Sequence, residues 1–402
     1  MAHSSRLSLH LLDSPKARMA KLLEEERLDL DRWENVVMKS DEDWLAFLDG
    51  SVENVVGSFR MPFSVATGFV VNGREVLAPM VTEERTVVAA ASKAAKLCRP
   101  KGFDVKVRRP IAVAQLVYPR LLDPVGGAAR VKRIAGPIVD LLRRGDRMTA
   151  RGGGPLSIDA RAVGPAHGKF LVVEVRIDVR DAMGANAATE TGHRAGALLM
   201  ATLDRLPAAV ICGNDVPERR ATVRAIWRAE DLGADLAKRP RPSSAGPADA
   251  LELGRAGIER VLDLQAWAEA DPARAVTHMK GVMNGVTAVA LATAQDTRAL
   301  EAAVWAQACR SGACRPLTEY VRTPSGDLYG KMTIPLVAGT VGGATGHPMA
   351  QAAREIGGIV DGKALVETMA AVGLAQNFAA LWSLAHEGII ASHEKLGRKK
   401  AP

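Results

Sequence analysis

The chain is poor in aromatic residues and in cysteine. Phe, Trp and Tyr together make up 4% of its 402 residues. Proteins that grip single-stranded nucleic acid stack bases on aromatic platforms, and this chain has few to offer. Its formal charge of +8, from 53 Lys and Arg against 45 Asp and Glu, suits a polyanionic ligand. The basic residues are scattered, apart from the tail Lys395 to Lys400, so no nucleic-acid partner is expected. The four cysteines, Cys98, Cys212, Cys309 and Cys314, form no CxxC pair. In a chain of this length they read as reduced thiols, not as a disulfide framework. Cys309 and Cys314 bracket four residues, a spacing too loose for zinc, and no metal is expected. The sequence is read as having no apolar run of the ~18 residues that span a bilayer and no secretory signal. The expectation is a cytoplasmic protein without membrane contact. A GxGxxG dinucleotide fingerprint is also missing.

What is present is 48% apolar and 24% charged, ordinary for a globular protein. The length accommodates two or more domains. Ser14-Pro15 reads as a helix N-cap followed by proline at the first helical position, with the helix running to about Glu26. Phe63 to Val71 and Glu75 to Ala78 read as strands, and Asn72-Gly73 between them is a hairpin signal. Thr86 to Leu97 reads as an alanine-rich helix, Asp104 to Val117 as strands, and Val131 to Leu142 as an amphipathic helix. Gly152 to Pro155 breaks the chain before a valine-rich strand, Lys169 to Asp178. Arg180 to Asn186 is then a glycine-containing loop before a helix over Ala187 to Leu203. That order can cradle a phosphate at a helix N-terminus. Lys238 to Pro247 is a proline-rich loop in an otherwise helical stretch. Val341 to Pro348 is a second glycine-rich turn before a helix. Glycine clusters alone are more often tight turns than ligand cradles.

The segment Thr277-His278-Met279-Lys280-Gly281-Val282-Met283-Asn284-Gly285, followed by Asp296, sets one lysine among small and apolar residues. A buried ammonium is costly unless paired, and a paired, desolvated lysine can stabilise a developing oxyanion. Taken alone, a structural Lys–Asp pair or a lysine reaching to solvent is the better reading. Three other segments change the weighting: Glu53-Asn54-Val55-Val56-Gly57, the stretch Ala78 to Ser92 containing Glu83-Glu84, and Asp178 to Asn186. In this order and at these separations the four segments resemble hydroxymethylglutaryl-coenzyme A reductase. The resemblance is strongest to the class II, soluble bacterial, degradative type and runs from about Leu7 to His393.

The resemblance implies an α+β fold. A large, mostly helical substrate domain (1–108 and 219–386) would carry an inserted small antiparallel α/β nucleotide-binding domain (109–218), not a Rossmann fold. A truncated C-terminal flap (387–402) would carry the catalytic histidine. The implied reaction interconverts hydroxymethylglutaryl-CoA with mevalonate and CoA by two hydride transfers. Lys280 matches the oxyanion stabiliser and Glu84 the acid. Asp296 matches the aspartate hydrogen-bonded between them. His393 matches the histidine that protonates the departing CoA thiolate. Arg274 matches the partner of the substrate carboxylate, a role that suits a forked guanidinium. Thr86, in place of the usual serine, Asn284 and Asn214 match polar residues of the substrate and nicotinamide site. Asp181, Met183, Gly184, Ala185 and Asn186 match the dinucleotide loop. Asp146 matches an acidic residue beside the adenosine ribose, where a carboxylate repels a 2′-phosphate, so NAD is expected over NADP. CoA is the co-substrate, and the family implies a homodimer with its active site at the interface. For each binding position, residue type alone favours an ordinary surface polar group or a turn glycine.

His278 and His347 lie in motifs, but packing or capping suffices to explain them. His3, His10, His167, His193 and His386 read as structural or surface residues. Arg85 stands where a proline usually follows the catalytic glutamate. Gly68 replaces an asparagine, and the turn before Pro348 is one residue short. Only nine residues follow His393, where the class usually carries a mobile domain. The competing expectation is therefore a catalytically impaired relative that still binds CoA or nucleotide.

Overall fold

A computed structural model describes residues 6–12, 14–25, 41–164, 170–238 and 249–386. Helix α1 (Pro15–Glu24) begins as the Ser14-Pro15 pair predicts, with the Ser14 hydroxyl accepting from the Ala17 amide at 3.1 Å. Helix α2 (Asp41–Asp49) precedes a hairpin of β1 (Phe63–Val71) and β2 (Arg74–Val81). At its tip Asn72 and Gly73 have φ of 50° and 77°, the left-handed pair that a two-residue hairpin needs. Gly68, with φ +89°, lies at an irregularity of β1 opposite β2. A Cβ there would sit 2.6 Å from the Lys96 stem, so this sequence has no room for the asparagine it lacks. Helix α3 (Val87–Leu97) and strand β3 (Phe103–Val107) follow.

The chain then enters a second sheet. Its elements are β4 (Ile111–Pro119), α4 (Pro124–Arg143), the single turn α5 (Arg147–Ala150), β5 (Gly154–Val163), β6 (Phe170–Asp178), α6 (Ala185–Leu203) and β7 (Ala209–Gly213). Strand β8 (Arg220–Trp227) returns to the first sheet. It is followed by α7 (Ala229–Ala237), α8 (Ala250–Ala270), α9 (Pro272–Ala292), α10 (Thr297–Ala308), β9 (Thr318–Arg322), β10 (Leu328–Pro335), α11 (Pro348–Gly357) and α12 (Gly362–His386).

The first sheet has the strand order β2-β1-β3-β8-β10-β9 and the second β5-β6-β4-β7. Every strand pairing in the second sheet is antiparallel, so no βαβ crossover exists there and the missing Rossmann fingerprint is explained. Helices α4 and α6 pack together and against this sheet over a core of Leu116, Val131, Leu142, Val173, Leu199 and neighbours. The fold is α+β, as expected, and the stretch after residue 218 is mostly helical. It supplies β8, β9 and β10, three of the six strands of the first sheet.

Helix α12 packs on α9, α3 and the strands of the first sheet. Residues 362–386 contain a stretch long and apolar enough to cross a bilayer, which corrects the reading that no such run exists. In the structure 89% of that stretch is buried. A helix apolar on all sides is one surrounded by protein. Its Phe378 ring stacks on Trp227 at 4.1 Å between centroids, and the Trp227 indole donates to the Ala94 carbonyl at 3.0 Å. Ring contacts running from Phe69 and Phe103 through Trp227 and Tyr320 to Phe378 and Trp382 thus join this helix to the sheet.

Candidate active site

Asp271 caps α9 by accepting from the Ala273 amide at 2.9 Å, and Pro272 occupies the first helical position. The helix then divides by its period. Ala275, Met279, Val282, Val286 and Val289 are fully buried in the core. Arg274, Thr277, Gly281 and Asn284, spaced three to four residues apart, line a pocket of about 420 Å³ between α9, α3 and the C-terminal half of α12. Its wall along α3 is largely alanine, including Ala89, Ala90 and Ala94. Its polar end holds Glu84, Thr86 and Lys280. The volume is that of a small-ligand site, and an apolar slot with a few convergent polar groups fixes a ligand's orientation.

Lys280 Nζ lies 3.9 Å from Glu84 Oε2. Glu84 lies three residues before the start of α3, and its amide donates to the Thr82 hydroxyl at 3.1 Å. The Lys280 side chain is 63% exposed and that of Glu84 31%. The expected buried ammonium is therefore not found within one chain: its neighbours in sequence are buried, but Lys280 itself stands at the pocket rim.

Three polar atoms of pocket-lining residues are buried without a hydrogen-bond partner: Arg274 Nε, His278 Nδ1 and Gln376 Oε1. Buried polar groups are normally paired, so these three are groups that a polar ligand would satisfy. Arg274 also lies over the Trp267 ring at 5.3 Å, and burial lowers its pKa. His278 Nε2 meets the Thr318 hydroxyl at 2.5 Å. That hydroxyl donates to Gln265 Oε1 at 3.4 Å, so the imidazole is the donor and Nδ1 carries the free lone pair. Burial, aided by the Arg274 charge, pushes the His278 pKa down to about 3, which keeps it neutral. Gln376 went unnoticed in the sequence. Its signal is the polar pair Gln376-Asn377 inside an apolar helix.

Asp296 is placed differently from the expectation. Its carboxylate is the N-cap of α10, accepting from the Arg298 and Ala299 amides at 3.0 and 3.1 Å, with Arg298 beside it at 3.2 Å. It makes no hydrogen bond to Lys280 and does not line the pocket. An N-cap carboxylate satisfies orphan amides at the positive end of a helix, and that is where this one is used. Among the other histidines, His347 caps α11 by accepting from the Met349 amide at 3.1 Å and stacks on Trp44. His386 rests on Trp382. His393, like the expected flap, lies outside the described residues.

The expected dinucleotide loop joins β6 to α6. Gly184 has φ +105°, and a Cβ there would lie 2.9 Å from both Val179 methyls, so only glycine fits. No side chain caps α6, which leaves the first amides around Ala185 and Asn186 for an anion. Asp181 anchors the loop: its carboxylate accepts from the Gly362 amide at 3.0 Å and its carbonyl from Thr340 at 2.7 Å. A residue missed in the sequence, buried Arg219, donates to the carbonyls of Met183 (2.5 Å), Ala182 (3.0 Å) and Ala338 (2.6 Å). Burial lowers its pKa to about 10, so it remains a cation. The residues present fit a phosphate-bearing cofactor at this loop. Asn214 is exposed just beyond β7. Asp146 caps α5, accepting from the Thr149 amide at 2.6 Å and hydroxyl at 2.8 Å, and pairs with Arg194 at 3.4 Å.

The pocket sets a lysine beside a carboxylate, and the separate antiparallel sheet carries a helix with an uncapped N-terminus and no Rossmann topology. The family profile described as hydroxymethylglutaryl-coenzyme A reductase matches residues 14–398. The chain belongs to that family. It is 35% identical over 351 residues to 3-hydroxy-3-methylglutaryl-coenzyme A reductase of Archaeoglobus fulgidus, covering 87% of this chain and 76% of that one. It is 30% identical over 358 residues to the probable enzyme of Borreliella burgdorferi, covering 87% and 77%. Among solved structures it resembles the class II reductase of Streptococcus pneumoniae bound to NADPH in open conformations. That match has a TM-score of 0.83, 28% identity, and covers 92% of this chain and 97% of the other.

Proposed function

We propose that this protein interconverts hydroxymethylglutaryl-CoA with mevalonate and CoA, using NAD(H), as a cytoplasmic homodimer. The observation that carries the reading is the pocket in which Glu84 and Lys280 stand at the polar end and Arg274, His278 and Gln376 present unpaired buried atoms. A bound nicotinamide supplies or accepts the hydride at each step. The Arg274 guanidinium holds the substrate carboxylate. Lys280 opposes the negative charge that develops on the reacting oxygen, the largest single contribution in reactions of this kind. Glu84, beside that ammonium, moves the proton to and from the same oxygen. Thr86 and Asn284 orient the acyl group. His393 protonates the CoA thiolate, as an imidazole titrating near neutrality can. Asp296 enters through α10, as the carboxylate that sets the helix end.

The nucleotide is held by Asp181, Met183, Gly184, Ala185 and Asn186, with Asn214 on the nicotinamide side. The NAD preference rests on the Asp146 carboxylate, although Arg194 beside it offsets part of that charge. The Streptococcus relative carries NADPH, so the choice is a matter for direct comparison. Support for the homodimer comes from Val56 and Phe59, which are almost fully exposed in the segment around Glu53 to Gly57; such apolar groups favour being covered.

The test is nicotinamide turnover by the purified protein with mevalonate plus CoA, comparing NAD with NADP, and with hydroxymethylglutaryl-CoA in reverse. CoA-dependent turnover that prefers NAD is the expected result. No turnover in either direction would reject the proposal. His393→Ala should spare reduction of free mevaldehyde far more than reduction of the thioester, and equal loss on both would reject its role.

A further inference from the structure

A chain of hydrogen bonds behind the pocket sets the tautomer of His278. The Gln265 side-chain amide donates to Glu269 Oε1 at 2.7 Å and to the Thr318 carbonyl at 3.0 Å. Its nitrogen is thereby fixed, and its Oε1 is left to accept from the Thr318 hydroxyl. That hydroxyl, having given its one proton, accepts from His278 Nε2. The backbone is held as well. Asn377 Nδ2 donates to the His278 carbonyl at 3.1 Å, and Asn377 Oδ1 accepts from the Tyr320 hydroxyl at 2.9 Å. His278 is 2% exposed, and flipping its ring would break this chain.

Nδ1 is therefore an acceptor, buried at the pocket wall with no donor. A buried acceptor left empty costs free energy that a ligand's donor recovers. Arg274, one turn earlier on α9, does not fill it, since its guanidinium lies over the Trp267 ring and its Nε also lacks a partner.

The order of residues along α9 selects the donor. Arg274, His278 and Lys280 follow one another on this helix. In the proposed reaction Arg274 holds the terminal carboxylate and Lys280 faces the reacting thioester carbonyl. The carbon midway between those two groups, C3, bears a methyl and a hydroxyl, and that hydroxyl is the acyl group's one proton donor. The amides of the pantetheine arm lie beyond the sulfur, past Lys280. Gln376 Oε1, the other unpaired acceptor of the pocket, stands on α12 and not in this row.

We propose that His278 Nδ1 accepts a hydrogen bond from the C3 hydroxyl of the substrate's acyl group, and that this contact selects 3-hydroxy acyl chains over their 3-deoxy analogues. The inference rests on the reaction proposed above and names a specificity-determining residue within it. A site that presents a fixed polar partner to a substrate hydroxyl rejects the analogue lacking it, because the partner is then left buried and unpaired.

The experiment is calorimetric titration of the full-length protein, without nicotinamide, by hydroxymethylglutaryl-CoA and by 3-methylglutaryl-CoA, which lacks only the hydroxyl. Wild type and His278→Gln are compared. Glutamine sets its amide nitrogen where Nε2 stood, which keeps the donor to Thr318, but puts no acceptor at the place of Nδ1. The wild type should bind the hydroxylated thioester about tenfold or more tightly than the deoxy one. In the variant the two Kd values should agree within about twofold, through weaker binding of the hydroxylated thioester. Equal Kd values in the wild type would overturn the proposal without any variant and leave the reaction standing. A gap that persists in His278→Gln would assign the hydroxyl to another residue and overturn it too. Failure of the wild type to bind either thioester would reject the reaction itself, and this inference with it.

Discussion

Acid should weaken this fold through His278, and the size of the effect follows from its surroundings. The imidazole is buried, donates to Thr318, and has a pKa lowered from 6.5 to about 3 by burial and by Arg274. The unfolded chain takes up this proton as the pH falls through about 6.5, and the folded chain does not until about 3. The unfolded state therefore binds more protons across that window, and stability falls as the pH is lowered through it. At about pH 5 the offset is roughly 1.5 units, or about 2 kcal/mol at ~1.4 kcal/mol per unit. Urea unfolding of the wild type and of His278→Gln at about pH 7 and about pH 5 isolates this group from the carboxylates common to both. The wild type should lose about 2 kcal/mol more than the variant between the two conditions. Parallel losses in the two proteins would refute the assignment of a neutral, buried imidazole.

Lys280→Ala removes a mostly exposed side chain, so stability should change by less than about 0.5 kcal/mol while turnover falls about a hundredfold or more; near-wild-type turnover would reject the oxyanion role. Asp296→Asn keeps the helix cap, since asparagine caps as well as aspartate, but removes the charge. Unchanged melting and nearly unchanged turnover are expected of a carboxylate that acts through the helix end, and a large loss of turnover at unchanged melting would refute that role. Arg219→Met leaves the carbonyls of Ala182, Met183 and Ala338 without this donor, at a cost of about 1–3 kcal/mol for each left unsatisfied, and should raise the KM for the nucleotide. A melting temperature equal to the wild type would show that the clamp does not hold the loop.

Local signals in the sequence located local structure. The hairpin at Asn72-Gly73, the Ser14 cap and the glycine at 184 each reflect a backbone requirement that only a few residue types meet. Strand β8 escaped because arginines fill it: Arg220, Arg224 and the flanking Arg219 and Arg228 hide the alternation of buried Ala221, Val223, Ala225 and Trp227. Its place at the centre of a sheet is decided by pairings with β3 and β10, far away in sequence. Helix α12 was under-read for the opposite reason. Its apolar surface is nearly continuous, and no period marks a face. Charged residues of the pocket, such as Arg274 and Glu84, were legible by resemblance. Those that act through geometry were not: Gln376 acquires meaning only from the pocket beside it, and Arg219 only from the three carbonyls that converge on it.

The exposure of Lys280 limits what it can do within one chain. Its sequence neighbours Met279 and Gly281 are buried, but successive helix residues point about 100° apart, so buried neighbours do not make the lysine buried. At 63% exposure and 3.9 Å from Glu84, the ammonium faces water, where a charge pair contributes only about 0–1 kcal/mol. Strong stabilisation of an oxyanion needs water to be excluded. Within the described residues of one chain nothing covers the rim, while Val56 and Phe59 stand exposed. A second copy over this rim would supply the low-dielectric surroundings that Lys280 lacks alone. Specific activity should then fall as the protein is diluted through its dimer dissociation, in step with the mass seen by analytical ultracentrifugation. Constant specific activity in a sample that sediments as a monomer would refute this account of the site.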